Sequence, residues 1–132
     1  MRLHHASFIV SDTEKSLGFY RDLLGLEVAP DRPDLGYPGA WLNIGAADGP
    51  NRAVTQIHLL ELPNPDPLHG RPEHGGRDRH LALEVDDFEA LREKLDTGGV
   101  TYTLSRSGRK ALFCRDPDQN ALEFIARVQT TD

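Results

Sequence analysis

The chain has 132 residues, enough for one domain that hides roughly two thirds of its unfolded surface. Its 38% apolar content is ordinary for a globular protein, and nothing in it approaches the ~20 apolar residues of a membrane-spanning helix. With 15 basic against 21 acidic side chains the net charge is −6, and no basic run exceeds Arg109-Lys110, which argues against phosphate backbones as partners.

Met1-Arg2-Leu3-His4-His5 runs straight into a strand-like segment without the apolar stretch of a signal peptide, so the expected location is the cytoplasm. That segment, His5-Ala-Ser-Phe-Ile-Val10-Ser-Asp12, opens a first module. Ser11-x-x-Glu14 reads as a helix cap, and Leu17, Tyr20, Leu23 and Leu24 as the apolar face of the helix that follows. Gly25 suits the helix stop. Three strands come next: Leu26-Glu-Val28, Ala40-Trp-Leu-Asn-Ile44 and Thr55-Gln-Ile-His-Leu-Leu60.

Residues 63–79 are crowded with Pro, Gly and charge and read as a linker. Then the pattern repeats. His80-Leu-Ala-Leu-Glu-Val85-Asp-Asp87 copies the spacing of His, four residues, Val, one residue, Asp. Asp86-x-x-Glu89 reads as the second cap, Phe88, Leu91 and Leu95 as the helix face, and Gly98-Gly99 as its end. The closing strands are Thr101-Tyr-Thr-Leu104, Ala111-Leu-Phe-Cys114 and Ala121-Leu-Glu-Phe-Ile125. The expected class is therefore α+β: one domain over 1–132, built of two βαβββ modules at about 1–62 and 80–127.

The repeat puts His5 and His80 at one position of the first strand and His58 and Glu123 at one position of the last. Side chains alternate across a strand, so one residue from each of four strands can face a common concavity. Three imidazoles and a carboxylate suit one divalent transition metal: zinc, nickel, cobalt, manganese or iron(II). Any one of these histidines on an apolar strand reads more simply as a hydrogen-bonded core residue; four at equivalent places favour a metal site. His4 is expected on the other side of its strand, and His69 and His74 to be solvated in the linker. Cys114 reads as a buried structural thiol, Trp41, Tyr102 and Phe113 as core, and Asp116-Pro-Asp-Gln-Asn120 as a turn.

Ser16-Leu-Gly-Phe-Tyr-Arg-Asp-Leu-Leu-Gly-Leu26, Gln56-Ile-His-Leu-Leu60, Arg79-His-Leu-Ala-Leu-Glu-Val85 and Phe113-Cys-Arg-Asp-Pro-Asp-Gln-Asn-Ala-Leu-Glu-Phe124 resemble the vicinal oxygen chelate superfamily, which includes glyoxalases, bleomycin-resistance proteins and dioxygenases. The resemblance spans nearly the whole chain. It implies paired βαβββ modules in a cupped mixed sheet around one metal, usually in a homodimer. It also implies Lewis-acid chemistry of the lyase or isomerase kind on a small oxygen-rich substrate. In the glyoxalase I pattern His5, His80 and Glu123 fall on ligand positions, but His58 stands where bacterial enzymes carry Glu, which leaves Glu123 as base with His58 as its substitute. Three other activities occur in the superfamily. A fosfomycin-type thiol transferase would use Ser7, two residues after His5, and the cations Arg106, Arg109 and Arg115 for a phosphonate or carboxylate. A ring-cleaving dioxygenase would use iron, and a drug-binding protein would use no metal at all.

Overall fold

In the computed structural model, which describes residues 1–128, strand register repeats as faithfully as the sequence does. The chain divides into two compact units, Met1–Asp66 and Pro67–Asp132. Unit 1 holds a four-stranded mixed sheet in the order β1-β4-β3-β2, from β1 (His5–Val10), β2 (Glu27–Val28), β3 (Gly39–Asn43) and β4 (Gln56–Glu61). Unit 2 repeats it as β5-β8-β7-β6, from β5 (His80–Val85), β6 (Tyr102–Leu104), β7 (Ala111–Arg115) and β8 (Ala121–Ala126). In each, the first strand pairs parallel with the last, and the remaining pairs are antiparallel. The α+β class with βαβββ modules is thus what the chain adopts.

Period-two alternation explains which face is covered. On β1, Phe8 and Val10 turn inward while His5 and Ser7 stay exposed. On β4, Ile57 and Leu59 are almost fully buried and His58 takes the opposite face. Tyr20, fully buried, and Leu42 complete the core of unit 1. In unit 2 the corresponding core is Leu95, Leu112, Leu122 and Phe124. Each such side chain contributes on the order of 1.5–3 kcal/mol relative to exposure.

The helices differ from the sequence expectation in two respects. Asp12 and Asp87, one residue beyond Ser11 and Asp86, are the N-caps; their carboxylates accept from Lys15 N and Ala90 N. Ser11 and Asp86 are therefore displaced as caps, because an Asp in extended conformation lies nearer the first free N–H groups. Helix α1 (Thr13–Leu17) also continues as a π-helical turn over Gly18–Leu23. Its wider i→i+5 winding, seen in the bond from Leu24 N to Phe19 O, buries the neighbours Phe19 and Tyr20 together and leaves Leu23 and Leu24 half-buried. Helix α2 (Phe88–Thr97) is regular and buries the expected Phe88, Leu91 and Leu95.

Part of the stretch expected to be a linker is built into unit 2. A 3-10 turn at Gly75–Arg77 packs on β7 and β8, with Gly75 buried. A Cβ on Gly76 would lie 2.9 Å from His74 Nε2 and 3.2 Å from Phe113 Cζ, so any larger residue would have to displace those rings.

Candidate functional site

In unit 1 the strand order dictates the site. Because β4 lies between β1 and β3, the ring of His58 is sandwiched. His5 stacks on one side at 4.0 Å between centroids, and Trp41, its register partner on β3, on the other at 4.4 Å. Ser7 sits directly opposite His58 in the parallel pair and on the same face as His5. Burial, then the charges of His5, His4 and Arg32, push the His58 imidazole down to about 4, so it is neutral at pH 7 with a lone pair to offer. Gln56 fixes which nitrogen offers it. The Gln56 amide donates to Asn43 Oδ1 at 2.9 Å, so its carbonyl accepts from His58 Nε2 at 2.9 Å and Nδ1 is left as the acceptor. His4 does not take the far side of the strand, as expected, but lies just before it and meets His5, Nδ1 to Nδ1, at 2.8 Å.

Unit 2 brings His80 and Glu123 together: Nε2 and Oε2 are 3.2 Å apart, and the carboxylate is 3% exposed. His80 is aimed by its other nitrogen, which donates to the backbone carbonyl of Asp78 at 2.8 Å. Asp78 is itself clamped. Burial alone would raise its carboxyl, but hydrogen bonds from Arg115 and Arg71 outweigh that and hold it below the usual carboxylate range. Arg115 therefore anchors the approach to β5, and its guanidinium also donates to the carbonyls of Gln119 and Pro72. Arg109 lies with the pair, Nη2 reaching Glu123 Oε1 at 3.1 Å.

The two pairs occupy matching places. His58 faces Ser7 and Trp41 in the register; Glu123 faces Ala82 and Phe113. Phe113 is buried, as expected of a core residue, and also walls its pair, whereas Trp41, expected as core, is half-buried and walls His58. Phe113 sets its ring edge-on to both His80, at 5.1 Å, and His74, at 4.8 Å. The strand face they occupy carries the candidate ligands rather than the helix packing, which decides their role.

A cavity of about 350 Å³ opens in unit 2, lined by His80, Glu123, Phe113, His74, Arg77 and the loop Ser105, Arg106, Ser107 and Arg109. His74 was expected to be solvated. It is half-buried, with Nδ1 2.6 Å from Thr103 Oγ1. The Gly75-Gly76 pair, which lets the backbone lie against Phe113, is the sequence signal that marks it. Cys114 is buried as expected, its thiol pushed up to about 12 chiefly by burial, and the Asp116 carboxylate organises the expected turn by accepting from Asp118 N and Asn120 N.

The donor chemistry fits a divalent metal. His80 Nδ1 is committed to donation, which leaves Nε2 facing a carboxylate oxygen at 3.2 Å, an imidazole–carboxylate pair that can share a proton or a divalent cation. His58 offers a neutral nitrogen. Among the described residues no three His, Cys, Asp or Glu side chains already form a metal cluster; each unit carries one pair of its own.

Residues 2–124 match the family model described as the Glyoxalase/Bleomycin resistance protein/Dioxygenase superfamily. A lactoylglutathione lyase of Haemophilus influenzae is 31% identical over 137 residues, covering 98% of this chain and 96% of that protein. An ethylmalonyl-CoA/methylmalonyl-CoA epimerase of Cereibacter sphaeroides is 29% identical over 127 residues, covering 90% and 91%. The solved structure of a glyoxalase family protein from Bacillus anthracis shares the fold, with a TM-score of 0.73 at 20% identity over 97% of this chain and 96% of that one.

Proposed function

Starting from the fact that the chain belongs to the Glyoxalase/Bleomycin resistance protein/Dioxygenase superfamily, we propose that it is a metal-dependent, glyoxalase-like enzyme acting on a small oxygen-rich substrate by lyase or isomerase chemistry. His5, His58, His80 and Glu123 hold one divalent transition metal. The observation that carries this reading is the register: an oriented His/His pair and an oriented His/Glu pair stand at matching positions of two equivalent sheets.

Bound there, such a cation supplies Lewis acidity to neighbouring substrate oxygens. The chain does the rest. Glu123, buried and acceptor-only when ionised, is placed to take a proton from the carbon next to a carbonyl through one carboxylate oxygen. His58, neutral at working pH, is the second proton acceptor. Trp41 stacks on His58 and Phe113 packs against the His80 ring, which fixes both imidazoles in place. Relatives named as a lyase and an epimerase support carbonyl substrates. The same reading has both modules working as one domain, in a cytoplasmic homodimer, with the ligand pairs meeting within a chain or across two.

The test is elemental analysis of protein purified without an affinity tag, beside a Glu123→Ala variant checked for unchanged circular dichroism. One transition metal per chain, lost from the variant, is the expected result. A wild-type protein that takes up no metal even on reconstitution overturns the reading. A panel of hemithioacetals, acyl-CoA thioesters and catechols then sorts the reaction, with hemithioacetals or thioesters expected to turn over.

A further inference from the structure

The unit 2 cavity carries more positive charge than a metal site needs. Arg77, Arg106 and Arg109 all line it, against the single carboxylate of Glu123. This collection belongs to a chain whose net charge is −6, so it is not a sample of a generally basic surface. Arg109 is half committed: Nη2 reaches Glu123 at 3.1 Å and Nε reaches Ser107 Oγ at 3.3 Å, leaving the rest of its five-donor fork open. Arg77 and Arg106 are exposed, and no carboxylate among the described residues pairs with either.

The loop is organised around these cations. Gly108, at φ 86°, turns it in a conformation that favours glycine. Ser105 and Ser107 bond to each other at 2.8 Å, and Ser107 passes the chain on to Arg109 and so to Glu123. Opposite the loop, the approach that Gly76 permits brings Arg77 to the same cavity. Nothing in the sequence joins Arg77, in a Pro- and Gly-rich stretch, with a hairpin loop about thirty residues later; the fold joins them.

Unpaired guanidiniums beside serine hydroxyls are the chemistry that grips planar or tetrahedral oxyanions, through short charge-assisted hydrogen bonds. The cavity volume of about 350 Å³ lies in the small-molecule range. We infer that Arg77, Arg106 and Arg109 form an oxyanion subsite beside Glu123, and that the substrate carries a carboxylate, phosphate or phosphonate group held there. This rests on the proposed function for its substrate, but the anion grip itself needs no metal.

Metal-free protein, titrated at constant ionic strength with inorganic phosphate, methylphosphonate and acetate and followed by amide and arginine Nε–H NMR, tests it. Saturable shifts at Ser105, Ser107 and Arg109 are expected. An Arg77→Gln/Arg106→Gln double variant should bind at least tenfold more weakly at an unchanged thermal midpoint. The tighter of the phosphorus oxyanions and acetate identifies the group. Drift that never saturates, or equal affinity in the double variant, overturns the inference. Metal content of both proteins is measured separately: metal bound without anion binding sinks this inference alone, and anion binding without metal sinks the proposed function alone.

Discussion

Unit 1 and unit 2 share strand order, register and the position of one histidine, yet they present different chemistry on the same face. Unit 1 offers stacked rings: His5, His58 and Trp41, with amides of Gln56 and Asn43 behind them. Unit 2 offers charge: Glu123 between His80 and Arg109, and a cationic loop beyond. One exchange, His58 for Glu123 at a shared register position, accounts for much of this. A buried imidazole escapes the cost of desolvation by staying neutral, whereas a buried carboxylate needs cations around it. The comparison teaches that duplicated scaffolds fix where a ligand stands, while each copy's neighbours fix what that ligand is.

The largest expected effect probes the scaffold that the two copies share. Leu42 and Cys114 hold equivalent places, each one residue past the aromatic wall and each buried. Leu42→Ala should cost about 2–5 kcal/mol in chemical denaturation and Cys114→Ala clearly less, since it removes a smaller group. Equal losses would break the equivalence.

The second effect sharpens the electrostatic contrast. His58 in metal-free protein titrates at about 4, against 6.5 unfolded. Its folded form therefore binds fewer protons than the unfolded chain between those values, so stability is complete above pH 6.5 and falls as pH drops toward 4. The loss is on the order of 2 kcal/mol. Denaturation at pH 7 and pH 5 should show it in wild type and not in His58→Gln, and an NMR titration of the ring gives the midpoint directly.

The smallest effect concerns the helices. Asp87→Ala removes the cap of the ten-residue α2 and should cost about 1 kcal/mol, while Asp12→Ala, capping the five-residue α1 and its π-helical continuation, should cost less. Thermal midpoints of the two variants rank them.

Much of this was readable in the chain. Repeat spacing and alternation place all eight strands of the described residues to within a residue or two, because the buried face of a half-covered sheet imposes its own period. The pairing of His5 with His58 and of His80 with Glu123 follows from the same period. What sequence did not reveal depends on approach between segments distant along the chain. Ser11 and Asp86 looked like caps because a capping box is a spacing, and the adjacent Asp satisfies nearly the same spacing. His74 looked solvated because the adjacent Gly75-Gly76 pair marks a close approach without naming its distant partner, Phe113. Arg115 looked like a pocket cation because its partner Asp78 lies 37 residues away. Trp41 looked like core because alternation says that two faces exist, not which of them carries the chemistry.

One consequence of the ring sandwich is optical. Trp41 is the one tryptophan of the chain, and its indole lies flat against His58 with only 9° between the planes. The protein's intrinsic emission thus originates in van der Waals contact with a candidate ligand. Protonation of that imidazole, or an open-shell ion arriving beside it, changes the brightness of the whole molecule, so the site carries its own lamp and needs no attached dye.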